Sequence, residues 1–120
     1  MFQWDEIKKC YLWEAQSIRI SCENQPEEEG EGYALQLAEQ YPSAINKIAQ
    51  YISGEREFQE SYGKPSIEQT LDLLKNSMSI SWIFLQGNDR AMIAYCDEDY
   101  VLEFECMGIF SDFQGLTVSS

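Results

Sequence analysis

The sequence predicts an α+β protein in which an antiparallel sheet, made of an N-terminal hairpin and a C-terminal meander, packs against two or three helices. Alternating apolar and polar residues, the pattern of a strand with one buried face, occur near both ends of the chain. Helix-spaced apolar residues occupy the middle, from residue 33 to residue 78. The chain has 120 residues, of which 44% are hydrophobic, and these values fit one domain spanning residues 1–120.

The first elements are predicted to be a hairpin followed by a loop. Residues 2–13 are rich in aromatic side chains, and in residues 17–22 apolar residues alternate with polar ones. These two stretches are expected to form an antiparallel pair of strands. Residues 23–32 are polar, charged and interrupted by proline and glycine, so they are predicted to be a loop that is either solvated or in contact with a partner.

Helical spacing begins at Tyr33 and continues on both sides of Pro42. Two helices or one kinked helix fit this spacing equally well. Because a proline in a helix interior costs about 3 kcal/mol, we favour a break near Tyr41, and we expect Gly54 to end the second segment. The apolar positions are Tyr33, Ala34, Leu37, Ala38, Tyr41, Ile45, Ile48, Ala49 and Ile52.

A short helix is predicted after another break at residues 63–65. Ser66 and Gln69 match a capping box. In this motif the serine side chain accepts a hydrogen bond from the backbone N–H of the glutamine. The glutamine side chain in turn accepts one from the backbone N–H of the serine. The apolar stripe of this helix consists of Ile67, Leu71, Leu74 and Met78.

The C-terminal part of the chain is predicted to be a meander of strands. Residues 87–89 and 97–99 supply turns, and residues 116–118 indicate a final edge strand. The alternating large residues of the first strand in this meander are Ile80, Trp82 and Phe84.

Within the meander, one strand carries carboxylates on one face. Successive side chains of a strand point to opposite faces, so Leu102, Phe104 and Cys106 point one way and Glu103 and Glu105 point the other. Two carboxylates in this spacing are most often a solvated surface. Acid–base catalysis of the kind found in glycosidases is the functional alternative.

The net charge of −13 arises from twenty-one acidic and eight basic residues. Nucleic-acid binding needs clustered lysine and arginine to displace counterions from phosphates, so this class is excluded. After Arg90 the chain has no basic residue, yet its last thirty residues are rich in strand-forming types and hold six carboxylates. The sequence therefore predicts an ordered acidic surface and not a disordered tail. The carboxylates are Asp97, Glu98, Asp99, Glu103, Glu105 and Asp112.

The residue types argue against an enzyme and against a cofactor. The chain has no histidine, which is the usual general base at neutral pH and the usual partner of a nucleophilic serine or cysteine. It has neither a zinc-binding motif nor a phosphate-binding loop, so no cofactor and no metal are expected. Residues 97–99 lack the spacing of a calcium loop, and a hairpin turn is expected there.

A cytoplasmic location is expected. The N-terminal residues are acidic where a secretory signal needs a basic region, and no apolar run approaches the ~20 residues of a membrane span. The four cysteines are far apart in sequence and form no CxxC motif, so buried free thiols are predicted, with disulfides of a secreted domain as the alternative. The cysteines are Cys10, Cys22, Cys96 and Cys106.

The segment from Phe110 to Phe113 places two phenylalanines around an acid in a predicted loop or edge strand. Burial in the core explains most aromatic residues of this chain. Exposed aromatics mixed with acids are, however, typical of a hot spot for a basic partner. The candidate partner-binding residues are therefore Asp97, Glu98, Asp99, Glu103, Glu105, Asp112, Phe110 and Phe113.

The order of these elements resembles that of small acidic bacterial immunity proteins of polymorphic and contact-dependent toxin systems. The stretches that carry the resemblance are Tyr-Leu-Trp-Glu at residues 11–14, Ser-Ile-Ser-Trp-Ile at residues 79–83, Phe-Glu-Cys at residues 104–106 and Phe-Gln-Gly-Leu-Thr-Val at residues 113–118. The resemblance implies neutralisation of a cognate protein toxin by tight, one-to-one binding.

The acidity of the chain is consistent with binding to a toxin of one kind, a basic nuclease. Nuclease toxins are often basic because their substrate is polyanionic, and an acidic inhibitor imitates the charge of that substrate.

Two other classes of protein also fit the sequence. One is a small-ligand-binding domain with carboxylates in a cleft between helices and sheet, and the other is a housekeeping interaction domain whose acidity serves solubility. The sequence leaves the oligomeric state undetermined.

Overall fold

A computed structural model describes residues 1–15 and 18–120 of the chain. These residues confirm the predicted α+β class, since they form a seven-stranded, mostly antiparallel sheet, three α-helices and one π-helical turn. In chain order the elements are β1 (Gln3–Asp5), β2 (Cys10–Ala15), β3 (Ile18–Cys22), α1 (Glu28–Ser53), α2 (Arg56–Tyr62), α3 (Ile67–Asp72), the π-helical turn (Leu73–Ser77), β4 (Ser79–Leu85), β5 (Arg90–Cys96), β6 (Val101–Met107) and β7 (Asp112–Ser119).

The strands follow one another across the sheet in sequence order, from β1 at one edge to β7 at the other. Neighbouring strands are antiparallel except β3 and β4, which run parallel and pair Ile20 with Ile83 and Ser21 with Phe84. The parallel pair arises because the helical segment crosses over the sheet between these two strands. The predicted N-terminal hairpin is formed by β2 and β3, although Ser17, predicted to begin its second strand, lies outside the described residues.

The N-terminal stretch contains a turn that the sequence analysis did not predict. Residues 2–13 are expected to form one strand, but β1 and β2 both lie there and pair with each other. Asp5 forms the turn, since its Oδ1 accepts hydrogen bonds of 3.0 Å from the backbone N–H groups of Ile7 and Lys8. One aspartate is enough for this kind of turn, so it leaves little trace in the sequence.

The loop predicted for residues 23–32 is shorter than expected, because α1 already begins at Glu28. Three glutamates in the first turn favour a helix there, since their negative charge interacts with the positive end of the helix dipole. Gly30 lies on the buried side of this turn, and a Cβ atom there would be 3.1 Å from the Cβ of Pro26. Gly30 therefore allows the close approach of Pro26 at the start of the helix and does not mark a loop.

The predicted break near Tyr41 is wrong, because α1 continues through Pro42 to Ser53. A proline in a helix interior costs about 3 kcal/mol, whereas burying one large aliphatic side chain stabilises by about 1.5–3 kcal/mol. Burial of several such side chains against the sheet on both sides of the proline outweighs its cost. Gly54 caps the helix as predicted. The large aliphatic residues that α1 buries are Leu37, Ile45, Ile48 and Ile52.

The capping box predicted for α3 is confirmed. Ser66 Oγ accepts a 3.1 Å hydrogen bond from the backbone N–H of Gln69, and Gln69 Oε1 accepts one of 2.9 Å from that of Ser66. The predicted apolar stripe is only partly buried, since Leu74 is buried but Ile67 is 50% exposed. Thr70 is buried instead, because its hydroxyl is satisfied by a 2.8 Å hydrogen bond to the Ser66 carbonyl oxygen.

A β-bulge in β4 changes the predicted orientation of two aromatic side chains. The pairing of β4 with β5 shifts register between Ile80 and Trp82. Ile80 consequently packs against the core, whereas Trp82 and Phe84 lie on the opposite face of the sheet. Ile83 is fully buried between them.

The helices cover only one of the two faces of the sheet. Phe104 of β6 packs against Tyr51 of α1 with ring centroids 5.6 Å apart, and the hydroxyl of Tyr95 on β5 is hydrogen-bonded to that of Tyr41. We call this the covered face and the opposite one the open face. From β2 to β7, the open face consists of Leu12, Glu14, Arg19, Ser21, Trp82, Phe84, Arg90, Met92, Ala94, Cys96, Val101, Glu103, Glu105, Met107, Asp112, Gln114 and Thr117.

β7 is an edge strand, as predicted, and the helices cap part of its free edge. The backbone N–H of Leu116 donates to the hydroxyl of Tyr51 at 3.1 Å, and that of Val118 donates to the carboxylate of Glu57 at 3.2 Å. Glu57 belongs to α2, a helix that the sequence analysis did not predict. These bonds occupy backbone donors that a strand of another chain would otherwise use.

Candidate protein-interaction surface

Glu103 and Glu105 share one face of β6, as the alternation predicts, and this face is the open one. Both side chains are half-buried. Glu105 lies 3.9 Å from the guanidinium of Arg90 and accepts a long hydrogen bond of 3.5 Å from the Gln114 amide. Glu103 lies beside Ala94 and has no ion-pair partner among the described residues. Its carboxylate is therefore available to a cation from outside the chain.

Asp97 has a structural role in the turn between β5 and β6. Its Oδ1 accepts hydrogen bonds of 2.8 Å and 2.7 Å from the backbone N–H groups of Asp99 and Tyr100, and its Oδ2 accepts one of 3.1 Å from the Tyr62 hydroxyl. Burial alone would raise the pKa of the Asp97 carboxyl, but these hydrogen bonds outweigh burial and lower the pKa below its ordinary value. Asp97 therefore holds the turn that presents Glu98.

The other predicted acids lie at the two ends of β6. Glu98 and Asp99 are exposed in the β5–β6 turn, whereas Asp112 is exposed beside Met107 at the far end. A strand rises about 3.4 Å per residue, so the length of β6 separates these ends by about 20 Å. Five of the six carboxylates, all except Asp97, thus lie along β6 or at its two ends. No group of acidic or sulfur side chains in the described part of the chain is close enough to hold a metal ion.

Phe110 and Phe113 do not lie on the open face, so they cannot be the exposed aromatic anchors that the sequence predicts. Phe110 is 1% exposed, with its ring centroid 6.3 Å from that of Tyr41. Phe113 lies on the covered face, 5.3 Å from Tyr51 between centroids. The turn before β7 is the cause, because positive φ angles of 63° at Gly108 and 54° at Phe110 fold it back towards α1.

The aromatic side chains on the open face are instead Trp82 and Phe84, for which burial in the core was the expectation. Trp82 is 38% exposed, and Phe84 is half-buried. Together with Leu12 and Met92 they form an apolar strip across the middle of the open face. A signal for this existed in the sequence: the intervening positions of β4, such as Ile83, are also apolar, which is typical of a strand with two apolar faces.

Basic residues border the apolar strip on the side away from Glu103. Lys8 and Lys9 lie in the turn between β1 and β2, and Arg19 lies on β3. These three side chains and Trp82 line a groove of roughly 380 Å³. On β2 and β3 the open face therefore carries both signs of charge, since Arg19 pairs with Glu14 at 3.5 Å, whereas its charged residues on β6 and β7 are all acids.

A second groove lies between the start of α1 and the turn from β4 to β5. It has a volume of roughly 570 Å³, and its lining includes Glu23, Glu27 and Asn88. The ligand-binding alternative requires carboxylates in a cleft between helices and sheet, and this groove lies at such a position. In the described residues, every buried side-chain nitrogen and oxygen has a hydrogen-bond partner, so no orphaned polar atom marks a ligand position.

All four cysteines are free thiols. Cys22 and Cys106 are buried, as predicted, whereas Cys10 and Cys96 are half-buried. Burial raises the pKa of the Cys22 and Cys106 thiols to about 11. These two thiols are therefore protonated and unreactive at neutral pH.

The chain matches no known protein family, and comparisons with curated proteins and with solved structures also find no match. Among the described residues, no helix combines the length and the apolar character needed to cross a lipid bilayer.

Proposed function

We propose that this chain is an immunity protein that binds a cognate basic toxin, of nuclease type, through its open face and neutralises it in the cytoplasm. The observation that carries the proposal is the position of Glu103 and Glu105 beside the exposed Trp82, on a sheet face that no described helix covers. Carboxylates attract a basic surface, and an exposed tryptophan supplies the apolar burial that holds it.

The charge of the whole chain supports the proposal at the stage of encounter. A net charge of −13 attracts a basic protein over about 8 Å at physiological salt, and such steering raises association rates by about 10–10³-fold. Because Glu103 has no ion pair among the described residues, it can bind a cation of the toxin without first losing another partner.

The proposed roles of the surface residues follow from their placement. Glu103 supplies charge at the centre of the interface, and Trp82 and Phe84 are the apolar anchors in place of the phenylalanines predicted from sequence. Glu98 and Asp99 extend the acidic line beyond the end of β6.

The test is co-expression of the tagged chain with the protein encoded by the reading frame immediately upstream, followed by size-exclusion chromatography and a growth assay. We expect a one-to-one complex and rescue of growth. The double variant Glu103→Lys/Glu105→Lys is expected to weaken binding at least about tenfold. The matched control is Glu39→Lys/Glu68→Lys, which makes the same change in net charge at exposed helix positions and is expected to weaken binding less.

Each outcome has a distinct meaning. Equal weakening by the two double variants would contradict the open face as the interface, because only overall charge would then matter. Absence of both complex and rescue would contradict the immunity role. Binding of a small ligand at the groove beside Glu23 and Glu27 would then support the ligand-binding alternative.

A further inference from the structure

Two rows of side chains cross the open face from β3 to β6. Each row has apolar residues at its centre, on β4 and β5, and an acid at its β6 end. The second row also has a base at its β3 end. The first row is Ser21, Phe84, Met92 and Glu105, and the second, two residues further along each strand, is Arg19, Trp82, Ala94 and Glu103.

We infer that two copies of the chain pack face to face through their open faces, about a two-fold axis that lies parallel to the strands and between β4 and β5. Such an axis places β3 of one copy over β6 of the other, and β4 over β5. Arg19, which lies 3.5 Å from Glu14 of its own chain, then also faces Glu103 of the second copy. Because the interface is symmetric, this ion pair forms twice.

The same axis also matches the apolar side chains by size. Trp82, the most exposed member of the apolar strip, faces the position of Ala94 in the second copy, which is the smallest side chain of its row and is itself fully buried. Phe84 faces Met92 of the second copy, and methionine is flexible enough to fit against a ring. Facing sheets interdigitate by placing large residues over small ones in this way.

Charges at the margins of the face agree with this arrangement. β2 of one copy lies over β7 of the other, so Lys8 and Lys9, beside the start of β2, come close to Asp112 of the second copy, at the start of β7. Glu105 faces Ser21 of the second copy and not another acid. The open face thus meets its own copy with opposite charges aligned.

The face is large enough for a stable dimer. The six strands that overlap about this axis, β2 to β7, are about 4.8 Å apart and about 20 Å long, which gives roughly 600 Å² of flat surface. Protruding side chains increase the accessible area towards the ~800 Å² per partner of standard interfaces. The net charge of −13 on each copy opposes association. The local pairing of Arg19 with Glu103 and burial of the apolar strip offset this repulsion where the surfaces meet.

The inference concerns the isolated chain and does not depend on the proposed function. If both hold, self-association and toxin binding compete for the open face, so the dimer is the form present before a toxin is bound.

The test is multi-angle light scattering and sedimentation of the isolated protein over a concentration series. The expected result is a reversible species of twice 13.9 kDa. Arg19→Glu and Glu103→Arg, each alone, are expected to weaken dimerisation at least about tenfold, since each places like charges opposite one another twice. The double variant Arg19→Glu/Glu103→Arg restores opposite charges and is expected to recover the dimer. Arg56→Glu on the exposed surface of α2 is the control for net charge.

A monomer at every concentration would overturn the inference. A dimer that Trp82→Ala and Arg19→Glu leave unchanged would also overturn it, because the contact would then lie elsewhere. Circular dichroism of each variant checks that the fold is intact, so that a monomeric variant reports on the interface alone.

Discussion

Trp82 and Phe110 show how backbone geometry at a single residue decides whether an aromatic side chain can reach a partner. The bulge before Trp82 turns its ring to the open face, and the positive φ angle at Phe110 turns that ring into the core. Both residues sit in segments of similar composition. Exposure therefore follows from the backbone at these two residues and not from their chemical type.

Asp97 gives a prediction about pH at the same scale. Its folded-state pKa is lowered, so it stabilises the fold above its unfolded pKa of about 3.9, and this stabilisation is lost as the pH falls through the lower, folded-state pKa. Asp97→Ala is expected to lower the free energy of unfolding by about 1–2 kcal/mol at pH 7. The difference in the free energy of unfolding between Asp97→Ala and the wild type should become smaller below about pH 4.

Urea denaturation at a series of pH values measures this difference in the free energy of unfolding. Glu98→Ala, which removes an exposed neighbouring carboxylate, is the control and should show a small difference at every pH. A gap for Asp97→Ala that stays constant down to acid pH would show that the hydrogen bonds to Asp99 and Tyr100 do not depend on the charged carboxylate.

At the scale of elements, α1 shows that tertiary burial overrides a local helix breaker. Pro42 lies inside the helix on its exposed side, and the missing N–H leaves one carbonyl group of the preceding turn without its helical partner. Replacing Pro42 with alanine restores that hydrogen bond and removes the steric conflict of the ring. The helix thus carries a local instability that other packing compensates.

Pro42→Ala is therefore expected to raise the free energy of unfolding by about 1–3 kcal/mol without altering the open face. Thermal unfolding followed by circular dichroism measures the change. Ser43→Ala, at the next exposed position, is the control and should stabilise by less than about 0.5 kcal/mol. If Pro42→Ala gave no gain, the helix would have to accommodate the proline ring without strain.

The edge of β7 gives a second prediction for an element. Glu57→Ala removes the side-chain acceptor of the Val118 N–H and is expected to destabilise the protein by about 1 kcal/mol. It also frees an edge donor, so aggregation at raised temperature should be faster. Light scattering over time measures this, with Glu60→Ala on the same helix as the control. Equal aggregation of the two variants would contradict a protective role of Glu57.

At the scale of the whole molecule, acidity is distributed over both layers. Residues 23–77, which contain the helices, have eleven acids and four bases, and the remaining residues have ten acids and four bases. Each layer therefore contributes a similar share of the net charge. The open face differs from the rest of the surface because it combines both signs of charge with an exposed apolar strip.

This charge predicts a response to salt. Self-repulsion at −13 destabilises the compact state, whereas the four ion pairs of the described residues are exposed and contribute little. Adding sodium chloride is expected to raise the melting temperature by roughly 2–5 °C through screening. The variant Glu39→Gln/Glu98→Gln, which neutralises two exposed acids outside any first helical turn, should melt higher at low salt and gain less from salt. A melting temperature that falls with salt would mean that the ion pairs dominate.

The fold was more predictable from sequence than the surface. Periodicity predicted the sheet and helix layers, and the capping box located α3, because burial and capping are local signals. The continuity of α1 through Pro42 depends on contacts with the sheet, which are distant in sequence. The open position of Trp82 depends on a one-residue bulge that leaves the apolar pattern unchanged. That Glu103 and Glu105 share a face was predicted because strict alternation decides it, whereas the sequence left open which face the helices cover.

The parallel seam between β3 and β4 has a consequence for how the chain acquires its structure. Every other strand pairing joins strands adjacent in sequence, whereas this one must wait for the whole helical segment between them. Closing a long loop costs more entropy than closing a hairpin turn, so we expect the N-terminal strands and the C-terminal meander to form before they join. During synthesis on the ribosome, the edge of β3 that pairs with β4 stays unpaired until β4 emerges, and an unpaired strand edge is exposed to aggregation over that interval.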